Sequence, residues 1–340
     1  MNNISLGNFH MKSNQPNLSM NGHFRAEGIA WSTAFIVTFV LVVSGNILTI
    51  VLFVMNKNIR KKSLFLVINM AYADLLVGAV SLPIFIYDVG IYFRLWTDGT
   101  WGLWSNRPLT VSFMIVDTVF SQASLISAAF ISCERFYAIY WPFKYRTLSA
   151  RVYHIVIFTA WMLALLISAV WTGSNILFSS KHTMLIWGPY TLVLTLTTCG
   201  CNICIWKKFQ RGCVAVSHRQ NRDLQNKRLT KTLLFVSGLT LLAWLPLVIL
   251  NFLRYVWLFP VQQKFYLVVN LFNYFNSFVN PVVYVLRIAE FRHAMARFCI
   301  CRERNYRQHA NDLIRSADLH SAATFIHELA FEQEVIDTQL

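Results

Sequence analysis

Apolar residues gather in seven stretches along the chain, at about 30–55, 64–92, 108–145, 153–173, 184–206, 232–258 and 265–286, separated by short polar and basic segments. Each is long enough to cross a bilayer as a helix, which takes about 20 residues. The pattern predicts an all-α membrane protein: a seven-transmembrane helix bundle, closed by a short amphipathic helix after span seven. The third stretch has the most ordered polar pattern. Asp117, Ser121, Ser124, Ala128, Ile131 and Arg135 follow one another at spacings of four, three, four, three and four, so they share one helical face. Asp117 and Arg135 stand roughly 27 Å apart at 1.5 Å per residue, close to the thickness of the hydrocarbon core. One face therefore carries an acid near one membrane surface, small polar groups midway and an Arg near the other. A charge within a membrane span costs on the order of 2.5–3.5 kcal/mol even on the mild insertion scale, so Asp117 reads as functional, with helix–helix adhesion as the plainer alternative.

Composition agrees with the pattern: 56% of the chain is hydrophobic and 13% charged, half the charged share of a soluble domain. The net charge of +15 does not point to nucleic acid, because its cations sit in short loops. The loop at 56–63 holds Lys57, Arg60, Lys61 and Lys62 without an acid. The loop at 141–152 holds Lys144, Arg146 and Arg151, and the one at 207–231 sets eight cations against Asp223 alone. The positive-inside rule makes these cytoplasmic and the N-terminus extracellular, in a multi-pass plasma-membrane protein. The expected organisation is an extracellular tail (1–28), a membrane domain (29–301) and a cytoplasmic tail (302–340). No removable signal peptide is expected. Asn3 and Asn17 open N-glycan acceptor triplets, consistent with an outside tail. Of seven Cys, none lies on the outer side, so no extracellular disulfide is expected. Cys201 and Cys204 form a CxxC inside an apolar span, where packing explains them better than metal.

Past span seven, residues 290–298 are amphipathic and basic and should lie on the inner membrane lipid. Cys299 and Cys301 follow as candidate palmitoylation sites, with free thiols as the alternative. The chain ends Thr338-Gln339-Leu340, an ending that suits a PDZ-domain protein adding the tail as a strand.

Several motifs fall in successive spans: Gly45-Asn46, Asn69 to Asp74 (NMAYAD), Glu134-Arg135-Phe136, Trp161, Trp244-Leu245-Pro246 and Asn280-Pro281-Val282-Val283-Tyr284. Their order and spacing resemble the rhodopsin-like (class A) family of G-protein-coupled receptors, over roughly residues 30–300. Membership implies a receptor, not an enzyme, which couples an extracellular small ligand to a heterotrimeric G protein when span six swings outward. A seven-span transporter, the rival, should have pseudo-symmetric halves and broken helices, and neither is evident.

Asn46, Asp74, Ser124, Asn276, Ser277 and Asn280 all lie near mid-membrane, where isolated polar groups are costly. Gathered around one carboxylate they suit a hard cation, and the resemblance implies a sodium pocket. No other cofactor is expected. A purely structural polar network is the alternative. The resemblance makes Glu134, Arg135, Pro246, Pro281 and Tyr284 the activation switch facing the G protein. Span six of such receptors often opens with a second acid, and Asn226 stands there. Asn202 replaces the usual Tyr of span five. At the outer end Thr110 replaces the Cys that opens span three, and the loop at about 174–183 has no Cys to pair with it.

Asp117 and Tyr274 match the acid and Tyr of amine receptors, in which the two hydrogen-bond. They imply a ligand site with Ser121, Trp244, Asn251 and Asn270. The match is incomplete: Leu247 and Val248 stand where paired Phe is usual, and span five offers Ile186 and Tyr190 where Ser would bind a catechol. A peptide, lipid or nucleoside ligand stays open. Light detection does not, since Tyr274 occupies the place of the Schiff-base Lys.

Overall fold

A computed structural model describes residues 22–56, 62–96, 107–177, 180–212, 221–256, 260–287 and 291–297. Among them the regular elements are α1 (Gly22–Met55), α2 (Phe65–Leu76), a π-helical turn (Val77–Ser81), α3 (Leu82–Tyr92), α4 (Arg107–Tyr140), α5 (Pro142–Thr147), α6 (Ala150–Leu177), α7 (Ser180–Gly212), α8 (Asn221–Tyr255) and α9 (Gln263–Arg287), with one 3₁₀ turn before α2. Six helical stretches are long and apolar enough to cross a membrane; α2, the π turn and α3 together make one of these. The seventh span is α9, whose apolarity is diluted by Asn270, Asn273, Asn276 and Asn280. Those polar groups are tolerable because α9 packs between α1 and α8 and against α2, and in lipid polar groups must be met inside the bundle. The fold is the expected seven-helix bundle.

The helices outrun the sequence boundaries at several ends. Residues 22–28, expected in the tail, are the first two turns of α1. Phe24 packs on Tyr92 and Phe93 with ring centroids 6.1 and 5.0 Å away, and Glu27 pairs with Lys264 at 3.0 Å. Span three, expected to 145, stops at Tyr140. Pro142 lacks an N–H and pushes Trp141 out of the helical region, to φ −128°, ψ 62°. The chain then restarts as α5 inside what was expected to be a loop. The expected outer loop at 174–183 is shorter still, since α6 runs to Leu177 and α7 starts at Ser180. The kink expected at Pro83 is shared with the π turn immediately before it, where the Leu82 N–H reaches back five residues to the Val77 carbonyl. Pro83 follows that turn within a continuous helical stretch, where its missing N–H leaves one carbonyl of the preceding turn without its usual donor.

α4 is the central helix, packed against α2, α6, α7 and α8. Its Ala123 shares one buried cluster with Ala160 and Ala164 of α6; small side chains let helices approach where no hydrophobic drive exists in lipid. Gly78 serves α1 the same way: a Cβ there would lie 2.7 Å from Val42 Cγ1. The outward face of the bundle carries Phe158, Leu166, Leu196, Leu242 and Phe272, all exposed, as suits contact with acyl chains. The chain divides into a unit ending at Phe291 and a second beginning at Arg292. Of the second, residues 292–297 are described and are helical.

Candidate functional site

Polar groups gather at three depths. At the outer level Asp117 projects from α4, and its Oδ1 is buried with no hydrogen-bond partner. The hydroxyl of Ser81, on the π turn, is close enough to act on this carboxylate, yet it too has no hydrogen-bond partner. Tyr274 of α9 lies within electrostatic reach of Asp117 and of Asp88. The hydrogen bond between Tyr274 and Asp117 implied by the amine-receptor likeness is not formed. Instead the Tyr274 ring packs against Phe85 at 5.3 Å and edge-on to Phe35 at 6.4 Å, in a cluster with Leu267 and Val89. That packing sets the ring's direction. Asn270 donates from Nδ2 to the Tyr266 carbonyl of its own helix at 2.8 Å. Ser121 and Asn251 are half-buried.

A second cluster is built largely of aromatic residues. Trp244 shares a buried cluster with Leu125, Met184 and Trp187, against which Trp171, Tyr190, Leu247 and Val248 pack. Tyr190 donates to Gln122 Oε1 at 3.1 Å. Ile186, expected to replace a pocket Ser, is 49% exposed and turned outward; Trp187 and Tyr190 are the inward residues of that turn.

At mid-membrane Asp74 is fully buried. Its Oδ1 accepts from Ser124 at 2.6 Å and Ser277 at 2.9 Å, and its Oδ2 from Asn280 at 2.9 Å. Asn46 donates to the carbonyls of Val42 and Ser277 at 2.9 and 3.1 Å, joining α1 to α9. Asn276 is buried beside Ser277 and makes no hydrogen bond to Asp74. Donors satisfy the carboxylate, but the amide oxygens of Asn46 and Asn280 are buried without partners. Orphan oxygens around a carboxylate fit a hard cation, which takes oxygen ligands. Nearby, Trp161 donates to Asn69 Oδ1 at 2.9 Å and Asn69 donates to Ser127 at 2.8 Å, so Trp161 ties α6 to α2 and α4.

At the C-terminal end of α4 Arg135 is 2% exposed. Its Nε and Nη2 donate to the two carboxylate oxygens of Glu134. Nη2 also donates to the Tyr145 hydroxyl at 2.7 Å, and that hydroxyl donates to Glu134 at 2.5 Å. Tyr153 adds a donation to Glu134 at 3.2 Å. Burial, and then the Glu134 charge, push Tyr145 up to about 12, so it stays a protonated donor at physiological pH. Tyr284 donates to Met70 Sδ at 3.6 Å from a fully buried position.

The sequence model described as 7 transmembrane receptor (rhodopsin family) matches residues 45–284, well over half of the chain. The chain belongs to the rhodopsin family of seven-transmembrane receptors. It is similar to the 5-hydroxytryptamine receptor 2B of Dichotomyctere fluviatilis, at 27% identity over 50% of this chain and 36% of that receptor. It is also similar to the octopamine receptor beta-2R of Chilo suppressalis, at 22% identity over 77% of each chain, and to neuropeptide receptor 22 of Caenorhabditis elegans, at 25% identity over 75% of this chain and 66% of that one. The chain thus spans about a third of the first relative's length and about three quarters of the second's.

Within this receptor the structure brings together two groups of the residues singled out in the sequence. Asn46, Asp74, Ser124, Ser277 and Asn280 form one network, and Glu134 meets Arg135. Pro246 and Pro281 lie inside α8 and α9. Asn3, Asn17, Cys299, Cys301 and Thr338-Gln339-Leu340 lie outside the described residues. Sequence reasoning missed Ser81, Asp88, Gln122 and Tyr145. Ser81, Phe85 and Asp88 do carry a signal, being spaced four and three apart as Asp117, Ser121 and Ser124 are.

Proposed function

We propose that this receptor binds a protonated amine at Asp117 from the extracellular side and passes the signal to a heterotrimeric G protein. One observation carries the ligand class: Asp117 has a buried carboxylate oxygen with no hydrogen-bond partner. Leaving a buried charge uncompensated costs several kcal/mol, and a ligand ammonium would offset that through a charge-assisted hydrogen bond. The aromatic cluster of Trp171, Trp187 and Trp244 gives such a ligand an apolar body to pack on. Two of the relatives are named for amines, octopamine and 5-hydroxytryptamine. On this reading the N-terminus faces outward at the plasma membrane, following the loop charges, and a sodium ion at Asp74 modulates agonist affinity.

The test is nucleotide exchange on co-expressed G proteins across an amine panel. Asp117→Asn keeps shape and removes the charge; loss of a buried ion-pair partner costs about 3–5 kcal/mol, hundreds- to thousands-fold in potency. Tyr274→Phe removes a hydroxyl that does not bond the acid, so potency should change by less than about threefold. An agonist whose potency survives Asp117→Asn overturns the amine reading. The second reading, a peptide or an uncharged ligand, is favoured by Leu247 and Val248 packed beside Trp244 and by the likeness to a neuropeptide receptor.

A further inference from the structure

The start of α8 offers a single acid, Asp223, among several cations. α8 is tied on both flanks beyond this start. The Arg287 guanidinium of α9 lies 4.5 Å from the centre of the Phe235 ring. The Lys231 ammonium lies 6.0 Å from the centre of the Phe209 ring of α7. Both distances fall within cation–π range. Lys231 and Phe235 are four residues apart, so they share a face of α8. That face gives a cation to one neighbour and a ring to the other.

Both neighbours are themselves fixed. Lys208 of α7 sits 5.1 Å over the Tyr140 ring of α4, and the Tyr140 hydroxyl donates to the Cys204 carbonyl at 3.2 Å. α9 is tied to α1 through Asn46 and Ser277. An outward movement of α8 would pull Lys231 and Phe235 from anchored partners at once.

We propose that Arg287, Phe235, Lys231 and Phe209 are positioning residues that form a two-sided cation–π clamp on the cytoplasmic end of α8 and oppose its outward movement. This rests on the reading that signalling proceeds through that movement. The two contacts have opposite polarity, so neither flank can trade partners with the other. Phe235 is 43% exposed, which places its contact with Arg287 at the weaker end of the cation–π range; breaking that contact shifts the inward–outward balance roughly two- to fivefold.

The decisive measurement uses the full receptor in lipid nanodiscs without G protein. Pulsed EPR distances are recorded between nitroxides at the cytoplasmic ends of α6 and α8, on a background with accessible Cys replaced by Ser. Phe235→Leu and Arg287→Gln should each raise the outward population two- to fivefold, and the double variant should add nothing further. Arg287→Lys should keep most of the restraint, and Phe235→Trp, with the better cation acceptor, should deepen it. Wild-type distances in both single variants, or additive effects, would overturn the clamp. Basal nucleotide exchange is measured beside it. A population shift with flat exchange on every G-protein class leaves the clamp standing and removes the coupling reading; unshifted distances remove the clamp whatever the exchange shows.

Discussion

Asp74 and Asp117 are the same residue in the same bundle, and their surroundings assign them different work. Asp74 accepts three hydrogen bonds from α4 and α9, so its charge is met from within. Asp117 keeps an oxygen unmet, so its charge awaits something from outside. Asp74→Asn should therefore abolish any sodium dependence of agonist affinity while leaving surface expression near wild type. Sodium lowering affinity equally in wild type and variant would remove the cation site. Tyr145 acts at the same scale. Its hydroxyl accepts from Arg135 and donates to Glu134, and hydrogen bonds to charged groups contribute about 1.5–3 kcal/mol. Tyr145→Phe should free Arg135 and raise ligand-independent nucleotide exchange about threefold or more; unchanged exchange at equal receptor number would show that Glu134 suffices.

Gly78 decides how closely α1 and the π turn approach. Gly78→Ala puts a methyl 2.7 Å from Val42 Cγ1, and overpacking of this kind costs typically 1–3 kcal/mol. Thermal unfolding in detergent should shift down by several degrees, and adding Val42→Ala should recover most of the loss. Failure of that rescue would place the strain elsewhere. The spans were legible in the sequence because lipid leaves the backbone few choices, and Asp74's partners because isolated polar groups at that depth are costly. The outer site was less legible. Tyr274 keeps its place in the chain but points by packing on Phe35 and Phe85, which lie on α1 and α3, far away in sequence. Ser81 closes a π turn and Asp88 follows it, and no residue pattern announces that turn. Tyr145 was hidden in a basic segment that reads as a loop, although Pro142 two residues past a helix end is a usable signal for a new helical start.

Across the whole molecule, the restraints at the cytoplasmic end lie on α5 and on rings and cations between α7, α8 and α9, where an acid at the start of α8 would be the familiar device. Asn226→Glu should supply that acid toward Arg135 and lower basal exchange. A wild type silent across all G-protein classes, or a variant with higher exchange, would contradict this. The outer and inner halves of the second span are also set independently. At about 100° per residue, Phe85 would return to within about 20° of the azimuth of Asp74 on an unbroken helix. The π turn takes up one extra residue and sets the outer half back by about 100°, so Phe85 leans on α1 and α9 while Asp74 reaches both α4 and α9. A one-residue insertion or deletion here acts as a gear change: it re-aims Ser81, Phe85 and Asp88 together and leaves the mid-membrane network in register. Receptors of this build can exchange one outer surface for another by a shift of phase, with no change to the machinery beneath it.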